Sequence, residues 1–198
     1  MDKSPSPIEA IREAISVDAA NARFQSQGIG PLFAAHPKAR LVVVGQAPGI
    51  KAQTAGIPWG DESGRRLMQW LGIEETVFRD ITKVSLLPMD FYYPGKGKSG
   101  DLPPRKEFAA RWHPQLLAHM PQASLIVLAG KYAVDYYLGK NARKNLTETV
   151  RAYQDYLPRY FPIVHPSPLN FRWHLKNPWF MEEVVPALQQ SVAALWTS

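Results

Sequence analysis

The run Leu41-Val42-Val43-Val44 restricts this chain more than any other stretch. It has four consecutive apolar residues, three of them β-branched, closed by Gly45 and Pro48. A strand with one wet face alternates apolar and polar residues, so an unbroken apolar run belongs to a strand covered on both faces. Leu125 to Ala129, ending at Gly130, repeats the pattern, and Tyr160 to Val164 gives a shorter version. Val77 to Val84, which carries charges, is the fourth strand expected. The intervening segments carry helical signals. Ile8, Ile11, Ile15 and Ala19 recur at helical spacing over Pro7 to Ala22, behind a Ser6 cap. Ser63 to Leu71 opens on a Ser63 cap and stops at Gly72. Further helices are expected over Pro104 to Met120 (interrupted or restarted near Pro114), Lys131 to Leu138 and Pro178 to Leu195. Strands alternating with helices predict an α/β fold of three layers, α/β/α, around a central, mostly parallel four-stranded sheet.

No internal repeat or low-complexity linker divides the 198 residues, so one domain over 1–198 is expected, a lead-in over 1–39 and a core over 40–198. The absence of Cys excludes disulfides, a cysteine nucleophile, cysteine-ligated zinc and an iron–sulfur cluster. No apolar run approaches the ~18–20 residues of a membrane span, and Met1 to Pro7 is polar, so neither a membrane anchor nor a secretory leader is expected. An intracellular, cytoplasmic protein is therefore the expectation.

Lys and Arg outnumber Asp and Glu by 23 to 17, a net charge of +6. Such an excess suits a polyanionic partner, whose condensed counterions are released on binding, and equally suits a solvated basic face. Leu86 to Arg105, rich in Pro, Gly, Lys and Tyr, reads as a long surface loop, a length that within a compact domain is usually functional. Lys96, Lys98, Arg105 and Lys106 lie in or beside it, interleaved with Tyr92 and Tyr93, and Arg172, His174 and Lys176 form a second basic group.

Ligands of open α/β sheets bind outside the carboxyl ends of the strands, where two unusual loops are expected to face one another. They are Gly45-Gln46-Ala47-Pro48-Gly49 and His165-Pro166-Ser167-Pro168-Leu169-Asn170. The first is a tight turn with backbone N–H groups free for a polar or anionic group; it lacks the Gly-Lys-Ser/Thr of a P-loop and the glycine spacing of a dinucleotide fold. Together the two loops resemble the uracil-DNA glycosylase superfamily. Its signatures are a water-activating loop of the GQDPY or GEAPG type and a DNA-intercalation loop of the HPSPL type. Gly56 to Gly60 with Ser63-Gly64, Asp80 to Lys83 and Asn177-Pro178 extend the resemblance over residues 40–190.

The resemblance implies the following assignments. The target nucleotide is flipped out of DNA, because a base cannot be cleaved inside the duplex. Its N-glycosidic bond is hydrolysed through an oxocarbenium-like state. His165 and the first-loop amides stabilise the departing anion, while Gln46 and the backbone at Ala47 place water. Trp59, beside Gly60, stacks the base; Asp80 reads its edge; Pro48 and Gly49 complete the pocket. Leu169 and Arg172 fill the vacated stack, and Ser167, Pro168 and Asn170 hold the DNA backbone. Four departures accompany it. Ala47 replaces the water-orienting Asp of the GQDPY form, leaving Asp61 as a substitute carboxylate. Asp80 stands where Asn is usual. Gly49 lacks the Tyr that excludes thymine, and the cysteines of the GEAPG branch are missing, so no metal or other cofactor is expected.

The reading is a monomeric, monofunctional enzyme that removes uracil from single- or double-stranded DNA, leaving free uracil and an abasic site. Open beside it are a broader glycosylase for hypoxanthine, xanthine or mismatched bases, a catalytically weak damaged-DNA-binding protein, and a small nucleotide-processing enzyme.

Overall fold

The computed structural model describes residues 5–197, so Met1 to Ser4 of the polar N-terminal stretch lie outside the described residues. Four strands, β1 (Leu41–Val44), β2 (Val84–Leu86), β3 (Leu125–Ala129) and β4 (Tyr160–Ile163), form one all-parallel sheet in the order β2-β1-β3-β4. Among the described residues ten α-helices surround it: α1 (Pro7–Ser16), α2 (Ala22–Gln25), α3 (Ile50–Ala55), α4 (Glu62–Leu71), α5 (Glu75–Arg79), α6 (Phe108–Ala118), α7 (Lys131–Leu138), α8 (Leu146–Arg151), α9 (Phe171–Lys176) and α10 (Val185–Ala193).

Alternation along the two central strands splits the core in two. Val42, Val44, Ile126 and Leu128 face α1, α6 and α7, while Leu41, Val43, Leu125 and Val127 face α4, α8 and α10. Both faces are dry, which is why these strands carry no polar residue. The three-layer α/β/α fold expected from the sequence is the one observed, with every strand pair parallel.

Local boundaries differ in several places. Among them, α6 starts at Phe108 and runs unbroken through Pro114, and the last helix has a π-helical turn, Phe180–Val184, before α10 begins. Val77 to Val84 is not a strand. Its first part is α5, whose Phe78 is buried and whose Glu75 and Arg79 pair at 3.3 Å across one helical turn, and β2 starts only at Val84. The cap of α4 is Asp61 rather than Ser63, its carboxylate accepting from the Gly64 N–H at 3.1 Å. The first helix stops at Ser16, because Asp18 caps a separate short turn at Ala20. Finally, the first third of the expected surface loop is core. Leu87, Met89, Asp90, Phe91 and Tyr92 are buried, and the exposed part begins only beyond them.

The chain leaves β1 toward β2 on one side and later crosses to β3 on the other. β1 therefore stands at the point where strand order reverses, and the loops beyond its carboxyl end border an open crevice.

Candidate active site

A cavity of about 400 Å³ occupies that crevice. Its floor comes from strand ends: Gly45 after β1, Pro88 after β2 and His165 after β4. After β2 the chain runs alongside the first loop, Met89 N–H donating to the Gly45 carbonyl at 2.9 Å and Asp90 N–H to that of Gln46 at 3.2 Å. The Gly45 and Gln46 carbonyls are thereby satisfied, whereas the amide N–H groups of Gln46 and Ala47 make no hydrogen bond among the described residues. Gln46, Ala47, Pro48 and Gly49 all line the cavity.

Trp59 forms one wall, and the local sequence forces it there. Its backbone is left-handed, φ 55°, a conformation that costs a bulky residue ~1–3 kcal/mol and persists only where neighbours impose it. Arg79 imposes it from one side, its guanidinium donating to the carbonyls of Pro58 and Trp59. From the other side Gly64 admits the Trp59 carbonyl so closely that a Cβ at 64 would stand 1.8 Å from the oxygen. The indole then lies against Gly45, where a Cβ would meet its Cζ2 at 2.4 Å. A side chain at either position would have to displace Trp59.

His165 stacks on that indole, with ring centroids 5.5 Å apart and planes 25° apart. Burial lowers its pKa below the ordinary histidine range, opposed by the negative charge of Asp61. The imidazole is therefore neutral at pH 7 and keeps one N–H to donate.

The loop that begins at His165 is tied down at its root and exposed at its tip. Asn170 Nδ2 donates to the His165 carbonyl at 2.7 Å, Leu169 N–H to Ser167 Oγ at 3.2 Å, and Arg66 on α4 to the Ser167 carbonyl at 3.3 Å. Leu169 is nevertheless 86% exposed, with Phe171 and Leu175 also exposed beyond it.

The family model of the uracil DNA glycosylase superfamily matches residues 33–189, most of the chain. This protein belongs to that superfamily. It is a DNA glycosylase, a hydrolase of DNA repair whose partner is DNA. The match spans both motif loops, all four strands and the segment that carries Trp59.

Of the glycosylase residues expected from the sequence, the structure gathers Gln46, Ala47, Pro48, Gly49, Trp59, His165, Ser167, Leu169 and Asn170 around one cavity. Gly60 closes the turn beneath Trp59, and Arg172 is exposed on α9, its guanidinium carbon 5.7 Å from the Phe171 ring centre. Pro168 opens the exposed tip.

Asp80 is not with them. It precedes β2 and sits at the amino ends of the strands, the opposite end of the sheet from the cavity. There it accepts from Thr82 N–H at 3.0 Å and Thr82 Oγ1 at 2.6 Å, bonds that lower its pKa, and Lys83 Nζ lies 3.8 Å away. It holds a turn. Arg105 and Tyr92 likewise leave the expected basic surface: Tyr92 is buried, and Arg105 grips the buried Asp90 through Nε at 2.7 Å and Nη2 at 2.8 Å.

The cavity wall also holds residues that the sequence did not assign to it: Leu32, Pro88, Pro94, Asp101 and Leu102. Asp101 follows Gly100 in a glycine-rich stretch, an acid at a turn, and that was its only sequence signal.

Proposed function

We propose that this glycosylase excises uracil from DNA, working as one domain and one copy, and leaves an abasic site. The observation that carries the proposal is the Trp59–His165 stack beside the unbonded Gln46 and Ala47 amides. A flipped base that enters the cavity meets the indole surface, worth roughly 1–3 kcal/mol per stacked base. As the C1′–N bond breaks, its electron pair moves onto the base, where the neutral His165 N–H and the two amides stabilise the growing charge. Gln46, at the mouth of the same loop, places the water through its amide. Leu169 enters the gap left in the stack, an apolar wedge paid for by the bent backbone it holds open.

The test is base release from a labelled oligonucleotide carrying one uracil, run beside hypoxanthine and a G·T mismatch. Uracil release that is lost in His165→Ala supports the proposal. Release of hypoxanthine in preference to uracil redirects it to a broader deaminated-base enzyme. Retained binding with no release turns the chain into a damage-binding protein. The G·T arm reads whether thymine's methyl group fits beside Gly49, where a Cβ would meet only Asp101 Oδ2, at 4.0 Å.

A further inference from the structure

We infer that Asp101 is the carboxylate that acts on the hydrolytic water, a reading that rests on the proposed glycosylase function. Hydrolysis through a cationic sugar calls for a negative charge near C1′ and an acceptor for the water's proton. The first loop offers neither, because Gln46 and Ala47 carry no charge. Two carboxylates line the cavity, Asp61 and Asp101. Asp61 is committed to the Gly64 N–H at the start of α4 and directs its charge toward His165.

Asp101 is differently placed. Tyr93 Oη donates to its Oδ1 at 3.2 Å, while its Oδ2 would stand 4.0 Å from a Cβ placed on Gly49 of the first loop. Its backbone belongs to a small hairpin, in which Gly97 N–H donates to the Gly100 carbonyl and Leu102 N–H to that of Gly95, both at 2.8 Å. Tyr93 is itself fixed by α3, its N–H donating to Gln53 Oε1 at 2.8 Å. The helix that leaves the first loop thus sets the position of an acid that arrives from a distant part of the chain. The Arg105–Asp90 pair anchors the far end of that segment in the core.

The step balances without a further reactant. The water oxygen forms a bond to C1′ as the C1′–N bond breaks, and that electron pair leaves with the base. One water proton passes to Asp101 Oδ2, and the base anion is reprotonated from solvent.

The experiment uses the full chain in single-turnover release of uracil from a duplex oligonucleotide, with binding measured separately on a duplex carrying a tetrahydrofuran abasic analogue. Asp101→Asn is expected to lower the release rate about 100-fold, with binding and thermal stability unchanged. Introducing Ala47→Asp into that variant should restore at least part of the rate, and added formate should accelerate Asp101→Ala but not the unmodified protein. Rates for Asp101→Asn equal to the unmodified protein's, or a loss confined to Asp61→Asn, overturn the assignment while leaving the uracil reading intact. Weakened abasic binding in step with the rate also overturns it, since that is what a structural role would produce. An unmodified chain that releases no base overturns both readings together.

Discussion

The indole of Trp59 and the imidazole of His165 lie nearly parallel, ring centroids 5.5 Å apart, although one follows β1 and the other follows β4. The contact means that Trp59 does more than line the cavity: it fixes the plane in which His165 presents its N–H. Removing the indole should therefore lower base release beyond the roughly 1–3 kcal/mol of a stacking surface. Trp59→Phe is expected to retain part of the rate and Trp59→Ala little of it, measured as single-turnover release with His165→Ala as the floor.

Gly45→Ala tests the same wall from behind. A Cβ 2.4 Å from the indole Cζ2 cannot be accommodated without moving the ring. The variant should fold with a loss of about 1–3 kcal/mol, the usual cost of overpacking, and should release base at least tenfold more slowly. Chemical denaturation and release kinetics on one preparation separate the two effects.

His113 makes the fold sensitive to acid. It is fully buried, Nε2 against the Pro88 carbonyl at 3.0 Å and Nδ1 against Tyr137 Oη at 2.8 Å. A carbonyl only accepts, so the proton sits on Nε2 and Nδ1 accepts from the tyrosine. Burial lowers its pKa to about 4. The unfolded chain takes up this proton near pH 6.5 and the native one only near 4, so stability falls as pH drops through that window. A loss of roughly 2–4 kcal/mol is expected by the end of it, and His113→Gln should flatten that part of the profile.

Leu169→Ala should leave stability within about 0.5 kcal/mol, because an exposed tip contributes little to the core. Its effect belongs to DNA. Release from duplex substrate should slow several-fold more than release from single strands, which have no stack to refill. Equal slowing on both substrates would mean that the leucine is not a wedge.

Arg105→Met leaves the Asp90 carboxylate buried without its cation, Asp90 being only 1% exposed on its side chain. Removing one partner of a buried pair costs about 3–5 kcal/mol, and the partial exposure of Arg105 places this case at the lower end. Proteolysis of the 93–103 segment should become faster in the variant, with the rest of the chain protected until global unfolding.

The parts of this protein that the sequence reveals are contiguous ones. Leu41 to Val44 and Leu125 to Ala129 are strands because nothing in them tolerates water, and the two loops that follow strand ends are motifs of adjacent residues that line one cavity. Hydrophobic runs and local motifs need no knowledge of the rest of the chain, so His165, Leu169 and the Gln46–Ala47 turn were legible at once. The sequence also holds Gly45 and Gly64, although not their reason.

Whatever depends on which end of the sheet a residue reaches was decided by the tertiary structure. Asp80 and Asp101 are both acids in turns, yet one precedes β2 and the other returns past the carboxyl ends of the strands. Arg105 looks like a free cation in a basic stretch until the fold sets the buried Asp90 beside it. Asp61 was legible as an acid near Trp59, but its bond to Gly64 appears only once α4 exists. Burial and pairing are set by contacts between segments far apart in sequence, and a local pattern carries no record of which segments the sheet brings together.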